Sequence, residues 1–216
     1  MNTTMPMPST FIDSPVSLAH YELDPAGEAA IEKLQQRGFE VVAGVTAADV
    51  RFITEIAQQQ AVREQCPKDL THRFGDQAMM ERWLRKNGGR AVFMLRDIEQ
   101  KQIRGYGWTG AEPCDQLAEY TTTFGVRLDE RVSGQGLGVP FVTAILSGAA
   151  ALYGTQRVWG ETWGSNGGAV KTYLRAGAVL VATKDDWRPT LTTGPGVVDG
   201  KRQDVRILLK FPQTVA

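Results

Sequence analysis

The segment Val126-Arg-Leu-Asp-Glu-Arg131-Val-Ser-Gly134-Gln-Gly136-Leu-Gly138 carries the chain out of a strand pattern and into a helix pattern. On its N-terminal side AEYTTTFGVRL (118–128) is rich in threonine and aromatic residues, as strands are. On its C-terminal side Leu137, Phe141, Ile145 and Ala149 recur every four residues, which predicts a helix to about Tyr153. Between them, Gly134 and Gly136 let the backbone approach a ligand closely, since no Cβ stands in the way. The first turn of a helix leaves N–H groups without partners, and with the helix dipole these bind phosphate. Arg131 would add a charge-assisted contact at the rim. Glycines at a strand-to-helix turn also have a purely structural use, so this segment alone leaves both readings open. Two other phosphate loops are excluded: the dinucleotide fingerprint G-x-G-x-x-G fails at Val139, and the nucleotide loop G-x-x-x-x-G-K-[ST] fails at Val170, before Lys171-Thr172.

Working outward, AVFMLRD (91–97) and QIRGYGWTG (102–110) flank a polar turn and predict a hairpin ahead of the strand at 118–128. Further back, residues 25–36 have helical composition with Ile31 and Leu34 on one face, and 39–44 read as a strand. Thr46 is placed to N-cap a helix carrying Val50, Ile53, Ile56 and Ala57. A second helix is predicted over 76–86, where Met79, Met80, Trp83 and Leu84 recur, with Asn87-Gly88-Gly89 as its stop. Beyond Tyr153 the order is strand 157–163, helix 166–177, strand 178–187, loop 188–202 and strand 204–211. No repeat is visible. An antiparallel meander followed by two strand–helix units places the chain in the α/β or α+β class.

The 216 residues suffice for one sizeable domain plus an extension. Lys plus Arg equals Asp plus Glu at 24 each, so no net field favours nucleic acid or anionic lipid. No apolar run is long enough for a membrane helix, and MNTTMPMPST lacks the pattern of a secretory signal, so a cytoplasmic protein is expected. Cys66 and Cys114 stand in no metal or redox spacing and read as reduced thiols. His20 and His72 have no ligand-spaced partners, so no metal is expected. Residues 1 to about 24 are polar, proline-dotted and aperiodic, and are expected to be partly disordered or draped over the domain.

The glycine turn resembles the pyrophosphate-binding signature of the GNAT superfamily of acetyltransferases, [QR]-x-x-G-x-[GA], with Arg131, Gly134 and Gly136 in its fixed places. That family's second signature is an Asn, an Ala three later, a Tyr seven later and a Gly eleven later. Asn166, Ala169, Tyr173 and Gly177 stand at those offsets. The resemblance covers roughly residues 39–212. It implies a GNAT-like domain at 39–216 behind an N-terminal extension at 1–38. The implied fold is a central mixed, mostly antiparallel sheet flanked by helices, with splayed strands forming an acyl-coenzyme A cleft. By resemblance acetyl-coenzyme A is the cosubstrate, held by Arg131, Val132, Ser133, Gly134, Gln135, Gly136, Leu137 and Gly138. Val126 and Leu128 would offer backbone groups to pantetheine, with the Val126 N–H polarising the thioester carbonyl. Pro140 stands where the family has a leucine. It lacks the N–H that would bond the Gly136 carbonyl, which predicts a late or bent helix start.

Acetyl transfer needs a neutral amine, a polarised carbonyl and a proton for the departing thiolate. Tyr173 matches the family's proton donor, and Val170, Tyr173, Leu174 and Gly177 also follow helical spacing, so its ring can pack while its hydroxyl faces the cleft. Glu161 is placed like the catalytic glutamate of ribosomal-protein alanine acetyltransferases and is the first choice of base; a glutamate that only pairs a charge fits equally. Glu119, on the preceding strand, is the second choice. Asn166 either bonds the cofactor or caps its helix. Trp108, Trp159, Trp163 and Trp187 read as core or cleft-wall residues. The acceptor would be a small-molecule amine or a protein or peptide amine, chosen by loops 62–78 and 188–202, in a monomer or homodimer. A non-catalytic acyl-coenzyme A sensor or scaffold is the alternative, and would not need Glu161 or Tyr173.

Overall fold

The run Ala91-Val-Phe-Met-Leu95 is apolar at every position because both faces of its strand are covered. In the computed structural model, which describes residues 14–66, 76–86, 90–155, 157–190 and 193–212, Ala91, Phe93 and Leu95 face one core while Val92 and Met94 face another. The elements run β1 (Val16–Ser17), α1 (Pro25–Gln35), β2 (Phe39–Ala43), α2 (Val50–Gln58), α3 (Gln60–Gln65), α4 (Gln77–Lys86), β3 (Arg90–Asp97), β4 (Ile103–Ala111), β5 (Thr122–Leu128), α5 (Gly138–Tyr153), β6 (Val158–Trp163), α6 (Gly167–Arg175), β7 (Val179–Pro189), β8 (Val197–Val198) and β9 (Lys201–Phe211). The strands join in one sheet of order β1-β2-β3-β4-β5-β6-β9-β7, with β8 on β9. All pairs are antiparallel except β5 with β6. That parallel pair holds only through Thr122↔Val158 and Thr123↔Trp159, after which the two strands part.

Helices α1, α5 and α6 cover one face, where Leu34, Phe93, Phe141, Tyr173 and Phe211 share a core. Helices α2 and α4 cover the other, packing Ile53, Ile56, Met80 and Leu84 on Met94, Tyr106 and Trp108. The α/β class and the mostly antiparallel sheet expected from the sequence are both present. Among the described residues no helix is long and apolar enough to cross a membrane.

Local expectations differ from the structure where backbone bonds go elsewhere. The strand expected from 118 starts at Thr122, because a tight turn takes the preceding residues: Leu117 N–H donates to the Cys114 carbonyl and Tyr120 N–H to Leu117. Glu119 therefore lies on a turn and not on a strand. Helix α2 starts at Val50, four residues after its expected cap. The Asp49 carboxylate accepts from both the N–H and the hydroxyl of Thr46, so Thr46 closes a turn ahead of the helix. Pro140 leaves the Gly136 carbonyl without its helical partner, so the bonded start of α5 comes one residue later. It is the third residue of a helix that begins at Gly138, where a proline is tolerated, and the first helical bond is Phe141 N–H to the Leu137 carbonyl. The loop expected over 188–202 is shortened by β7 reaching Pro189, β9 starting at Lys201, and β8 between them. Helix α3 was not foreseen.

Residues 1–13 lie outside the described residues, as do His72 and the stop at 87–89. Residues 14–24 are built into the fold: β1 pairs with β2, and Leu18 is fully buried. Helix α1 packs so closely on α5 that a Cβ at Gly27 would sit 2.1 Å from Ser147 Oγ. Its Ile31 and Leu34 belong to the main core, so packing shows no break at residue 38.

Candidate active site

Alternation along β5 decides what faces the gap beside it. Glu112 N–H donates to the Thr121 carbonyl and Asp129 N–H to the Arg104 carbonyl, both in register with the β4–β5 ladder. Odd-numbered residues of β5 therefore bond to β4, and Phe124, Val126 and Leu128 turn their N–H and C=O the other way. Past Thr123 no strand among the described residues pairs with them on that side. The Arg127 guanidinium folds back to donate to the Val126 carbonyl at 2.8 Å. Val126 and Leu128, chosen from the sequence, thus present backbone groups to the splay.

A cavity of about 970 Å³ runs through this gap. Ser133, Gly134, Gly136 and Gly138 line one end, together with Lys171, Thr172 and Arg175 of α6. Val126, Arg127, Trp108, Trp159, Glu161 and Tyr173 line the middle. The other end is walled by Ala61, Val62, Gln65 and Cys66 at α3, and by Met79, Arg82 and Trp83 on α4.

Gly134 and Gly136 both have φ of 76°, a left-handed conformation that side chains resist. A Cβ on Gly134 would meet nothing within 4 Å, so its surroundings are open. The loop ends at the N-terminus of α5, whose N-cap residue, Leu137, makes no side-chain cap bond. Val132 and Leu137 are buried anchors. Gln135 closes the turn by donating from Nε2 to the Arg131 carbonyl at 2.8 Å. Arg131 does not line the cavity. Its guanidinium is held by the buried Asp129 carboxylate, with Nη2–Oδ2 at 2.6 Å and Nε–Oδ2 at 2.9 Å. Asp129 also meets Arg104 at 3.3 Å and Gln59 at 3.1 Å. Burial pushes its carboxyl up, but the bonds from Arg131 and Gln59 outweigh this and hold it at about 2. The same pairing raises Arg131.

Tyr173 rises from α6 and packs edge-on to Phe124 at 5.2 Å and Phe211 at 6.2 Å. Burial pushes its hydroxyl up to about 12, and the Arg127 charge offsets part of that. Glu161 lies on the opposite face of the sheet: Gly160 is the residue whose Cβ would meet Phe124, so its neighbour points away from that core. Glu161 Oε2 is buried. The splay is what lets these two side chains reach one cavity from opposite faces. Glu119 is not brought there; it is exposed on its turn and pairs with Arg157 at 3.1 Å. Asn166 caps α6, accepting the Ala169 N–H at 3.1 Å, and also lines the cavity.

Sequence reasoning missed Lys171 and Arg175, whose i, i+4 spacing on a helix was a readable signal. It also missed Arg37, which donates from Nη1 to the Gln135 carbonyl from a turn 98 residues away. Nothing local marks that contact. Among the described residues no group of three or more His, Cys, Asp or Glu could hold a metal ion.

A family model described as acetyltransferase (GNAT) domain matches residues 41–179. Solved structures of similar fold include a phosphinothricin acetyltransferase from Sinorhizobium meliloti in complex with acetyl-coenzyme A. It has TM-score 0.65 and 16% identity, over 82% of this chain and 89% of that one. A spermidine N-acetyltransferase from Vibrio cholerae, in complex with coenzyme A and spermine, has TM-score 0.64 and 15% identity, over 82% and 97%. A ribosomal-protein-S5-alanine acetyltransferase from Vibrio fischeri has TM-score 0.63 and 14% identity, over 82% and 94%. At such identities these likenesses establish the fold. No protein of curated function matches the sequence. Because the family match spans more than half of the chain and contains the splayed strands, the glycine loop and both motifs, the protein belongs to the GNAT acetyltransferase family.

Proposed function

We propose that the protein transfers the acetyl group of acetyl-coenzyme A to a primary amine by direct attack within the cleft. The observation that carries this reading is the parting of β5 and β6 after Thr123 and Trp159. It opens the Val126 and Leu128 backbone, the glycine loop, Tyr173 and Glu161 onto one cavity. The residues present suit the cosubstrate. The open surroundings of the positive-φ Gly134, with the Arg37 guanidinium beside Gly136, leave room for a pyrophosphate at the helix N-terminus. Lys171 and Arg175 add cations beside it, Asn166 lines the same wall, and the Leu128 edge suits an extended pantetheine.

Bound acetyl-coenzyme A supplies an activated thioester. The Val126 N–H donates to the thioester carbonyl as it lies along the β5 edge, favouring the charge that develops there. Glu161, directly or through one water, takes a proton from the incoming amine at its carboxylate oxygen. Tyr173, with its hydroxyl at about 12, stays protonated through the neutral range. Full transfer of that proton to a thiolate of ordinary pKa near 8.5 is uphill, so Tyr173 acts chiefly as a hydrogen-bond donor to the departing sulfur. Glu161 is preferred to Glu119 because it lines the cavity and Glu119 does not.

Two measurements test the proposal. Acetyl-coenzyme A near 100 times its dissociation constant should stabilise the fold by about 2.7 kcal/mol, read as a raised melting temperature. Consumption of acetyl-coenzyme A against pools of amines, amino acids and peptides should then find an acceptor. Binding without turnover on any pool would instead favour a sensor or scaffold, and an unmoved melt would sink both readings.

A further inference from the structure

Helix α3 is six residues long and has no buried residue. A helix this short does not hold itself together in water, because its few hydrogen bonds do not offset nucleation. Its ends are secured from distant parts of the chain. The Glu130 carboxylate accepts the Ala61 N–H at 3.1 Å, the bond that a cap within the helix ordinarily supplies. Gln59, the residue in the capping position, makes no such bond. Its side chain instead accepts the Glu130 N–H at 2.9 Å and donates to Asp129 at 3.1 Å. At the other end the Arg188 guanidinium donates to the Glu64 carbonyl. Arg188 is buried and paired with Asp204 at 3.0 Å, and Asp204 accepts from both the N–H and the hydroxyl of Ser165.

Asp129 and Glu130 directly follow β5, and Ser165 lies two residues beyond β6. Helix α3 therefore spans the exits of the two strands that splay, and its inner side walls the end of the cleft away from the glycine loop. Glu130 also opens the short turn that leads into that loop. We infer that Glu130 is a positioning residue through which acetyl-coenzyme A, by fixing the glycine loop, fixes α3 as a strap over the acceptor. This rests on the proposed use of the loop for acetyl-coenzyme A. A ligand that holds residues 130–138 in one arrangement holds the Ala61 cap with it, while Arg188 and Asp204 keep the far end anchored to the rest of the sheet. By linkage, an acceptor seated against α3 strengthens the cosubstrate in return.

Hydrogen exchange over residues 59–66, with and without saturating acetyl-coenzyme A, tests the strap, and thermal melts of the same samples report binding separately. In the wild-type protein the melt should rise and exchange over 59–66 should slow about tenfold, within the usual range for coupled sites. Glu130→Ala should still show a ligand-raised melt but lose the added protection. Glu130→Gln, whose amide oxygen can accept the same N–H, should keep it. Should Glu130→Ala fail to fold, Gln59→Ala removes the other link to the loop and should lose the protection too. A wild-type melt that rises with no added protection over 59–66 overturns the strap and leaves acetyl-coenzyme A binding intact. Full protection in Glu130→Ala, or in Gln59→Ala where that variant replaces it, overturns the strap as well; an unmoved wild-type melt overturns both inferences together.

Discussion

The two ends of the cleft are made of different materials. The glycine-loop end is mostly backbone: positive-φ glycines, a helix start and a strand edge, with Lys171 and Arg175 at the side. The far end is mostly side chain: Trp83, Met79, Val62 and Cys66, presented by α3 and α4 and by the residue that follows α3. Backbone recognition demands particular residues at fixed spacing, since few but glycine adopt φ of 76° without strain. A wall of apolar and aromatic side chains can be built from many residues in many orders. One end is therefore written in the sequence and the other is not.

The sharpest way to break this contrast is at the point where the ends meet. Glu161→Gln should lower turnover by about 10²-fold or more while the dissociation constant for acetyl-coenzyme A stays near wild type. The deficit should shrink as pH rises toward the amine's own pKa, about 8 for an α-amine and 10.4 for a lysine-like one, because the nucleophile then loses its proton unaided. Turnover that stays full from pH 6 to 9 would remove Glu161 from the reaction, and a Glu119→Gln variant that loses it would restore the second candidate.

Asp129 ties the two ends together, holding Arg131 at the loop and Gln59 at the start of α3. Its folded pKa of about 2 lies below the ordinary 3.8. The stabilisation is whole above about 4 and is lost as pH falls through 2. Its size is about 2 kcal/mol. Denaturant midpoints measured from pH 7 down to 2 should show this loss, and Asp129→Asn should flatten the acid limb while lowering stability at neutral pH. An unchanged acid limb in that variant would place the acid sensitivity elsewhere.

The loop end itself is sharpened by Gly134→Asn. Asparagine tolerates a left-handed backbone, and a Cβ there meets no protein atom within 4 Å, so folding should lose no more than about 1 kcal/mol. The dissociation constant for acetyl-coenzyme A should nevertheless rise about tenfold or more, since the new side chain stands where phosphate must approach. Equal effects on folding and binding would show that the glycine serves the turn alone.

What the sequence hid follows from the same contrast. The sheet, the loop and α5 were legible because periodicity and glycine spacing are local. Helix α3 was not, since Gln-Ala-Val-Arg-Glu-Gln has no apolar repeat and its caps come from Glu130 and Arg188, far along the chain. Arg131 had the right chemistry for a phosphate, but Asp129, two residues before it, holds its guanidinium. Tyr120 and Thr121 have strand-forming composition, yet both backbone groups of Tyr120 are taken by the turn at Cys114–Leu117.

The smallest expected effect belongs to Tyr173→Phe. The ring stays, so its edge-on contacts with Phe124 and Phe211 remain and stability should move by no more than about 0.5 kcal/mol. Only the hydroxyl is lost, and with it one hydrogen bond to developing charge on sulfur, which should lower turnover by about tenfold or less. A hydroxyl held at about 12 does not ionise between pH 6 and 9. The deficit should therefore be the same at both ends of that range, in contrast to Glu161→Gln. Parallel rate profiles for wild type and Tyr173→Phe would support a neutral hydrogen-bond donor. A deficit that changes with pH would mean that the hydroxyl titrates in the working range, which its burial between two aromatic rings argues against. No deficit at any pH would leave Tyr173 as a packing residue, and the hydrogen bond to the departing thiolate would then come from water.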